Sequence, residues 1–405
     1  MNNGHVTERI RVLICGTGSG AHMLAANASK NPQFDVRVLT RSAEKAERWT
    51  EMMQTRPLSV YARDGNDYRL NWSTNSFSVT DQPDQVRGCD LILIVVPAFA
   101  HSAYLKLLEP IIEEGSIVVG LPGQNGFEFE VRKKLGEKLK NCVVMNFESL
   151  PWSCRTIEFG ESVRLNGIKQ RLVGAIEGDL SKATLEDPLA AVQSLLGDPP
   201  TLRLAGHLLG ITLMSLNAYS HPPIMYGRWK HWDGTPLDEP PLFFQGVDPE
   251  TADLLGKISD EVVRTSKRIT AECPEVNLSQ VIPMYQWDIA HYGSFIKDKT
   301  NLMTALRTNA LYQGRTHPMI QTEDGRYVPD FGHRFLVEDI QCLVVIRGIA
   351  ELAGVETPNM DLVLSWGQEK MGKEYLVGSR LTGRDLQTTR CPQRYGFSEI
   401  EDLLG

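Results

Sequence analysis

The sequence predicts an α/β domain built on a parallel sheet, followed by a mostly α-helical domain. Three observations carry that prediction. Short apolar runs alternate with helical stretches through the first half, a glycine-rich turn directly follows the first run, and the alternation stops near residue 204. Near-continuous apolar runs belong to strands covered on both faces, the usual condition of a parallel sheet. A chain of 405 residues exceeds one ordinary domain, so the expected division is 1–204 and 205–405.

RVLIC (11–15) is the first strand, and GTGSGAHMLAANASKNP continues it as a turn and a helix closed before Pro32. FDVRVL (34–39), DLILIVV (90–96), SIVVGL (116–121) and CVVMNF (142–147) supply further strands with helical stretches between them. LSVYARDGNDYRLNWS (58–73) alternates around Asp64-Gly65, the signature of an antiparallel hairpin inserted beside the sheet. RLVGAI (171–176) reads as one more strand before the proline-bearing stretch at 198–200. Beyond it, AGHLLGITLMSLNAYS (205–220), KISDEVVRTSKRITAEC (257–273) and GHRFLVEDIQCLVVIRGIAELAGV (332–355), closed by Gly354, have helical periodicity.

Composition removes several classes of function. The formal net charge of −8 repels polyanions, so nucleic acid is not an expected partner. The opening MNNGHVTERI has no basic region leading into an apolar core, and no window approaches the roughly 18 apolar residues of a membrane span. A soluble, cytoplasmic protein is expected. The seven cysteines lack C-x-x-C spacing, which argues against both a disulfide framework and a metal site.

Gly16-Thr17-Gly18-Ser19-Gly20-Ala21 is a G-x-G-x-x-A turn between a first strand and a first helix, the position of a dinucleotide fingerprint in a Rossmann-type fold. Gly16 permits the tight turn, Gly18 lets backbone approach a pyrophosphate, and Ala21 leaves room for close helix packing. At the end of the second strand, where an acid commonly holds the adenosine ribose, the chain has Arg41-Ser42. Such an arginine suits a 2′-phosphate, so NADPH use stays open beside NADH; a solvated strand-end arginine fits the same pattern. Val96-Pro97-Ala98, in VVPAFAH (95–101), lies at the edge of the same crevice. FESLPWSCR (147–155) also leaves a strand end; Glu148 is suited to an ammonium or guanidinium and Trp152 to a pocket wall, although a surface glutamate and a core tryptophan fit equally.

In SLNAYSHPPIMYG, Pro222 is expected to bend or end the helix at His221 and turn the imidazole out of the regular ladder. A structural histidine satisfies the same pattern. PDFGHRFLVED (329–339) offers Arg334, whose fork fits a carboxylate, and Asp339, which suits orienting a histidine. Five positions apart on one helix means about 140° of rotation, so a helix start between them, or a role for only one, is expected. A solvent-exposed charge pairing is the plainer alternative.

These segments together resemble the opine dehydrogenases of marine invertebrates, the octopine dehydrogenase group, from residue 11 to about 398. CGTGSGAH, VVPAFAH, LPGQNGFEF, FESLPWSCR, SHPPIMYGRW, MYQW, PDFGHRF, GKEYL and TTRCPQRYGF carry the likeness. The resemblance implies NADH-dependent reductive condensation of pyruvate with an amino acid, regenerating NAD⁺ in anaerobic glycolysis, by a protein that is often monomeric. It implies that His221 is the acid/base, Asp339 its paired carboxylate and Arg334 the grip on the oxo acid, with Gln124, Glu148, Cys154 and Trp287 around the amino-acid pocket. Ser215 and Asn217 depart from the octopine-forming pattern, where a methionine and a tyrosine are expected. Taurine, alanine, glycine and arginine therefore all remain candidate amines. A reductase of a free 2-oxo acid and a catalytically silent dinucleotide sensor are the other readings that the residues allow; the presence of both His221 and Asp339 weighs against the sensor.

Overall fold

The first strand alternates its side chains between two cores: Val12 and Ile14 enter one, Leu13 and Cys15 the other. In the computed structural model, which describes residues 9–70 and 76–404, this strand is β1 (Ile10–Cys15). It is followed by α1 (Ser19–Ser29), β2 (Phe34–Leu39), α2 (Ala43–Thr55), β3 (Leu58–Ala62), β4 (Tyr68–Leu70), β5 (Phe77–Thr80), β6 (Leu91–Ile94), α3 (Ala98–Leu108), β7 (Ile117–Gly120), α4 (Phe127–Leu135), β8 (Val143–Phe147), β9 (Trp152–Glu158), β10 (Ser162–Ile168), β11 (Arg171–Glu177), α5 (Pro188–Leu196) and β12 (Thr201–Leu204).

Eight strands form one sheet in the order β12-β11-β8-β7-β6-β1-β2-β5. Residues of α1 and α5 pack on one face, residues of α3 and α4 on the other. This is the doubly wound arrangement expected of a Rossmann-type domain. Neighbouring strands are parallel except β8 with β11, which is antiparallel. The exception has a physical reason. The chain reaches β11 through the strand pair β9–β10, and without a helical crossover the returning strand runs the other way.

The hairpin around Gly65 (φ 81) forms between β3 and β4; its expected residues 71–73 lie outside the described residues, as does most of the opening MNNGHVTERI. The hairpin is not a mere decoration. β3 pairs with β10, so a second sheet, β4-β3-β10-β9, draws strands from two distant parts of the chain. Trp152 opens β9 and is 4% exposed in the core, in line with the core-tryptophan alternative.

The described chain divides between Ile211 and Thr212 into two compact units. In the second, α7 (Leu216–Trp229) packs against α8 (Pro249–Glu272) and α11 (Arg334–Leu352), and α11 against α12 (Pro358–Met371). Shorter elements are α9 (Met284–Tyr292), α10 (Leu302–Thr308) and the strand pair β13 (Met319–Gln321) and β14 (Tyr327–Pro329). The periodic stretch 205–220 is not one helix: α6 (Leu208–Leu213) ends before Ser215, and α7 begins after it. The helix expected from 257 starts earlier, because Asp248 accepts from the Thr251 N–H and Pro249 occupies the first turn. Among the described residues no helix is long and apolar enough to cross a membrane, and no group of three or more His, Cys, Asp or Glu side chains is placed to hold a metal ion.

Candidate active site

In the first unit, Gly16 sits at φ 120, and a Cβ there would lie 2.5 Å from Val96 Cγ1 and 2.9 Å from the Val95 carbonyl oxygen. Only glycine lets the β1 turn close against the end of β6. Gly18 differs: it is the N-cap of α1, and a Cβ there would meet nothing within 4 Å. Open space in front of an uncapped helix N-terminus fits a dinucleotide pyrophosphate. Gly20 approaches Val95 and Leu150 closely, and Ala21 is fully buried.

Other side chains hold the turn from outside. Ser19 Oγ accepts from the Thr156 N–H at 2.9 Å. His22 Nε2 accepts from the Gly160 N–H at 2.8 Å, which leaves Nδ1 to donate to the Gly18 carbonyl at 3.0 Å. Burial pushes this imidazole down to about 4, so it is neutral near pH 7. Arg41 is exposed with its guanidinium 5.8 Å from the Tyr104 ring centre, and Ser42 Oγ caps α2 through the Lys45 N–H. After β6, Val96 is half-buried and its carbonyl pairs with His101 Nε2 at 2.8 Å. Pro97 is the N-cap of α3 and Ala98 its first residue.

The remaining expected pocket residues of this unit are spread over separate elements. Gln124 adopts a left-handed backbone (φ 59) ahead of α4. Glu148 Oε1 accepts from the Val173 N–H at 3.1 Å, so part of that carboxylate serves the sheet. Cys154 lies on β9, and burial pushes its thiol up to about 11, which keeps it protonated.

In the second unit three of the expected residues lie close to one another. His221 is 7% exposed, and its Nδ1 lies 2.8 Å from Asp339 Oδ2. The Phe335 ring stacks on the imidazole at 3.9 Å and 26°, while Phe243 and Phe244 meet its edges at 5.6 and 6.1 Å. Arg334 is exposed, with its guanidinium 5.6 Å from the same Phe335 ring. One aromatic ring thus stacks on the imidazole and lies beside the guanidinium.

One expectation about these helices needs correction, and one of two alternatives falls away. The interruption of α7 is at Tyr219 (φ −120, ψ 20), two residues before His221, and the helix runs on through Pro222 and Pro223. The reason is positional: those prolines fall in the first turn of the new segment, where the missing N–H groups have no intrahelical partner to lose. Likewise, α11 does not begin between Arg334 and Asp339; it begins at Arg334, with His333 as its N-cap. Both charged residues are therefore helical. Asp339 faces α7, while Arg334 reaches Phe335 by the length of its side chain.

Phe335 and His333, like Phe243 and Phe244, are site residues that sequence reasoning passed over. The signal for Phe335 was present: it lies four residues before Asp339, and four-residue spacing places both on one helical face. Trp287, on α9, stacks on His291 at 4.0 Å. Its neighbour Asp288 is 3% exposed, and burial pushes that carboxyl up to about 7.

Residues 204–371 match the α-helical domain of the NAD/NADP octopine/nopaline dehydrogenase family. The chain is 45% identical to an opine dehydrogenase of Haliotis discus hannai, covering 98% of this chain and 99% of the relative. It is 46% identical to a tauropine dehydrogenase of Arabella iricolor, covering 96% and 99%. A solved octopine dehydrogenase with NADH and L-arginine superposes with a TM-score of 0.93 at 42% identity, covering 98% of both chains.

Proposed function

The chain belongs to the octopine dehydrogenase family, and from that premise we propose that it joins pyruvate to an amino acid through an imine and reduces that imine to an opine. The observation that carries the reading is the His221–Asp339 pair at 2.8 Å, with Arg334 on the adjoining ring. Gly16 to Ala21 would hold NADH, with Arg41, Ser42, Val96, Pro97 and Ala98 at its flanks, and the bound cofactor would supply the hydride for the reduction. The chain's own groups do the rest. Arg334 binds the oxo-acid carboxylate through its guanidinium fork. His221 Nε2 gives and takes the protons that accompany condensation and reduction. Asp339 accepts from Nδ1–H, which fixes the tautomer and leaves Nε2 for that work. By the family resemblance, Gln124, Glu148 and Cys154 of the first unit and Trp287 of the second are assigned to amine recognition.

The amine is taurine, alanine, glycine or arginine; Ser215, at the N-cap of α7, and the exposed Asn217 supply little apolar wall for a long side chain. We further propose that the protein works as a cytoplasmic monomer with no nucleic-acid or membrane partner. Its net charge and seven cysteines without disulfides support that setting. There the regenerated NAD⁺ sustains anaerobic glycolysis. The test is NADH oxidation by the purified protein with pyruvate, first alone and then with each amine separately. Turnover that requires one amine supports the proposal and identifies the opine. Turnover with pyruvate alone, or none with any amine, overturns it.

A further inference from the structure

The turn that presents Arg334 is fastened by a titratable cap. Helices are commonly opened by Ser, Thr, Asp or Asn, whose oxygens accept from a first-turn N–H at any ordinary pH. Here the cap is His333: its Nδ1 accepts from the Phe335 N–H at 3.2 Å, and its ring meets the Phe335 ring edge-on at 4.6 Å. The bond is possible only while Nδ1 carries no proton. Phe335 is also the ring beneath His221 and beside the Arg334 guanidinium. His333 thus holds, through one hydrogen bond and one ring contact, the residue against which both functional groups rest.

We propose that His333 is a positioning residue that sets the grip of Arg334 on the oxo-acid carboxylate and makes that grip depend on pH. This rests on the assignment of Arg334 to the carboxylate. Protonation of Nδ1 would break the cap and free the first turn of α11, so affinity for pyruvate falls as pH falls. The groups facing His333 are Arg334 and His221, which oppose its protonation, and Asp330 and Asp339, which favour it. Burial is the largest influence and pushes His333 below the ordinary histidine value. The cap therefore remains intact at neutral pH and opens only on acidification.

The test compares His333→Ala, His333→Asn and Arg334→Ala in steady-state kinetics with pyruvate varied, across pH 5.5 to 8 (about the imidazole range). His333→Ala should raise the pyruvate KM about fivefold, the equilibrium weight of one N-cap, with kcat little changed. His333→Asn, which caps without titrating, should restore KM at neutral pH. The ratio of wild-type to His333→Asn KM should then climb as pH falls, since the ionisations of pyruvate and amine affect both proteins alike. A flat ratio, or an Asn variant as impaired as the Ala variant, overturns the proposal. If Arg334→Ala leaves the pyruvate KM unchanged, the assignment beneath it fails instead. Should His333→Ala not fold, the wild-type-to-Asn ratio still decides.

Discussion

Asp339→Asn isolates the charge of the site's central pair. The substitution preserves shape and an oxygen that can accept from His221 Nδ1–H, but removes the negative charge 2.8 Å away. Two unit charges about 4 Å apart interact by about 4 kcal/mol at an effective dielectric near 20. Hydrogen bonds to charged groups contribute about 1.5–3 kcal/mol net. The side chains of His221 and Asp339 are 9% and 15% exposed, so little of this is lost to solvent screening. If the imidazolium forms as the proton moves, the expected fall in kcat is roughly 10- to 150-fold. The assay follows NADH absorbance at saturating pyruvate and amine, with cofactor affinity measured separately by fluorescence titration and expected to hold within about twofold. In a His221→Gln background the second substitution should add almost nothing, because the two residues act as a unit. A single Asp339→Asn variant with undiminished kcat would refute the pairing.

Gly18→Ala should melt within about 2 °C of wild type, as its Cβ meets nothing, yet weaken NADH on the order of tenfold by occupying the pyrophosphate's space. Gly16→Ala should instead lose about 2 kcal/mol of stability from its positive φ and the Val96 contact; thermal melts and cofactor titration of the two variants would contradict this reading if their profiles were alike. Asp288→Asn tests a pH effect of definite sign: the folded state retains the carboxyl proton up to about pH 7 while the unfolded chain releases it near 4, so wild-type stability declines as pH rises through that window. The variant's relative gain should grow from near zero at about pH 4 to a ceiling of about 4 kcal/mol above 7, and a pH-independent difference in chemical denaturation would count against it. Arg41→Ala should reduce NADPH affinity about tenfold and NADH affinity by a smaller factor, about twofold; equal losses would remove Arg41 from cofactor discrimination.

Much of the first unit was legible because its signals are local. An apolar run, a glycine turn and a following helix are each set by a few neighbouring residues, and the β1–α1 turn lies where they place it. The second sheet was not legible, because β3 finds β10 about a hundred residues downstream and no local pattern encodes that pairing. At the candidate site, the types of His221, Asp339 and Arg334 could be read, but their arrangement could not. Proline rules correctly announced an interruption in α7 but placed it two residues late, since the same prolines that end one helix are tolerated at the start of another. Phe335 was obscured by its bulk apolar character: on a buried helix such a ring usually belongs to the core, and only its partner on α7 gives it a different meaning.

The supports behind the glycine turn also impose an order in time. Ser19 and His22 take their hydrogen bonds from Thr156 and Gly160, 137 and 138 residues further along. A ribosome adding about 5–20 residues per second needs roughly ten seconds to deliver those partners. Until then the nascent chain carries the full fingerprint without the backbone that steadies it. On the proposed cofactor role of this turn, capture comes late in the life of the chain, and a fragment ending after β7 would keep the motif while lacking the grip.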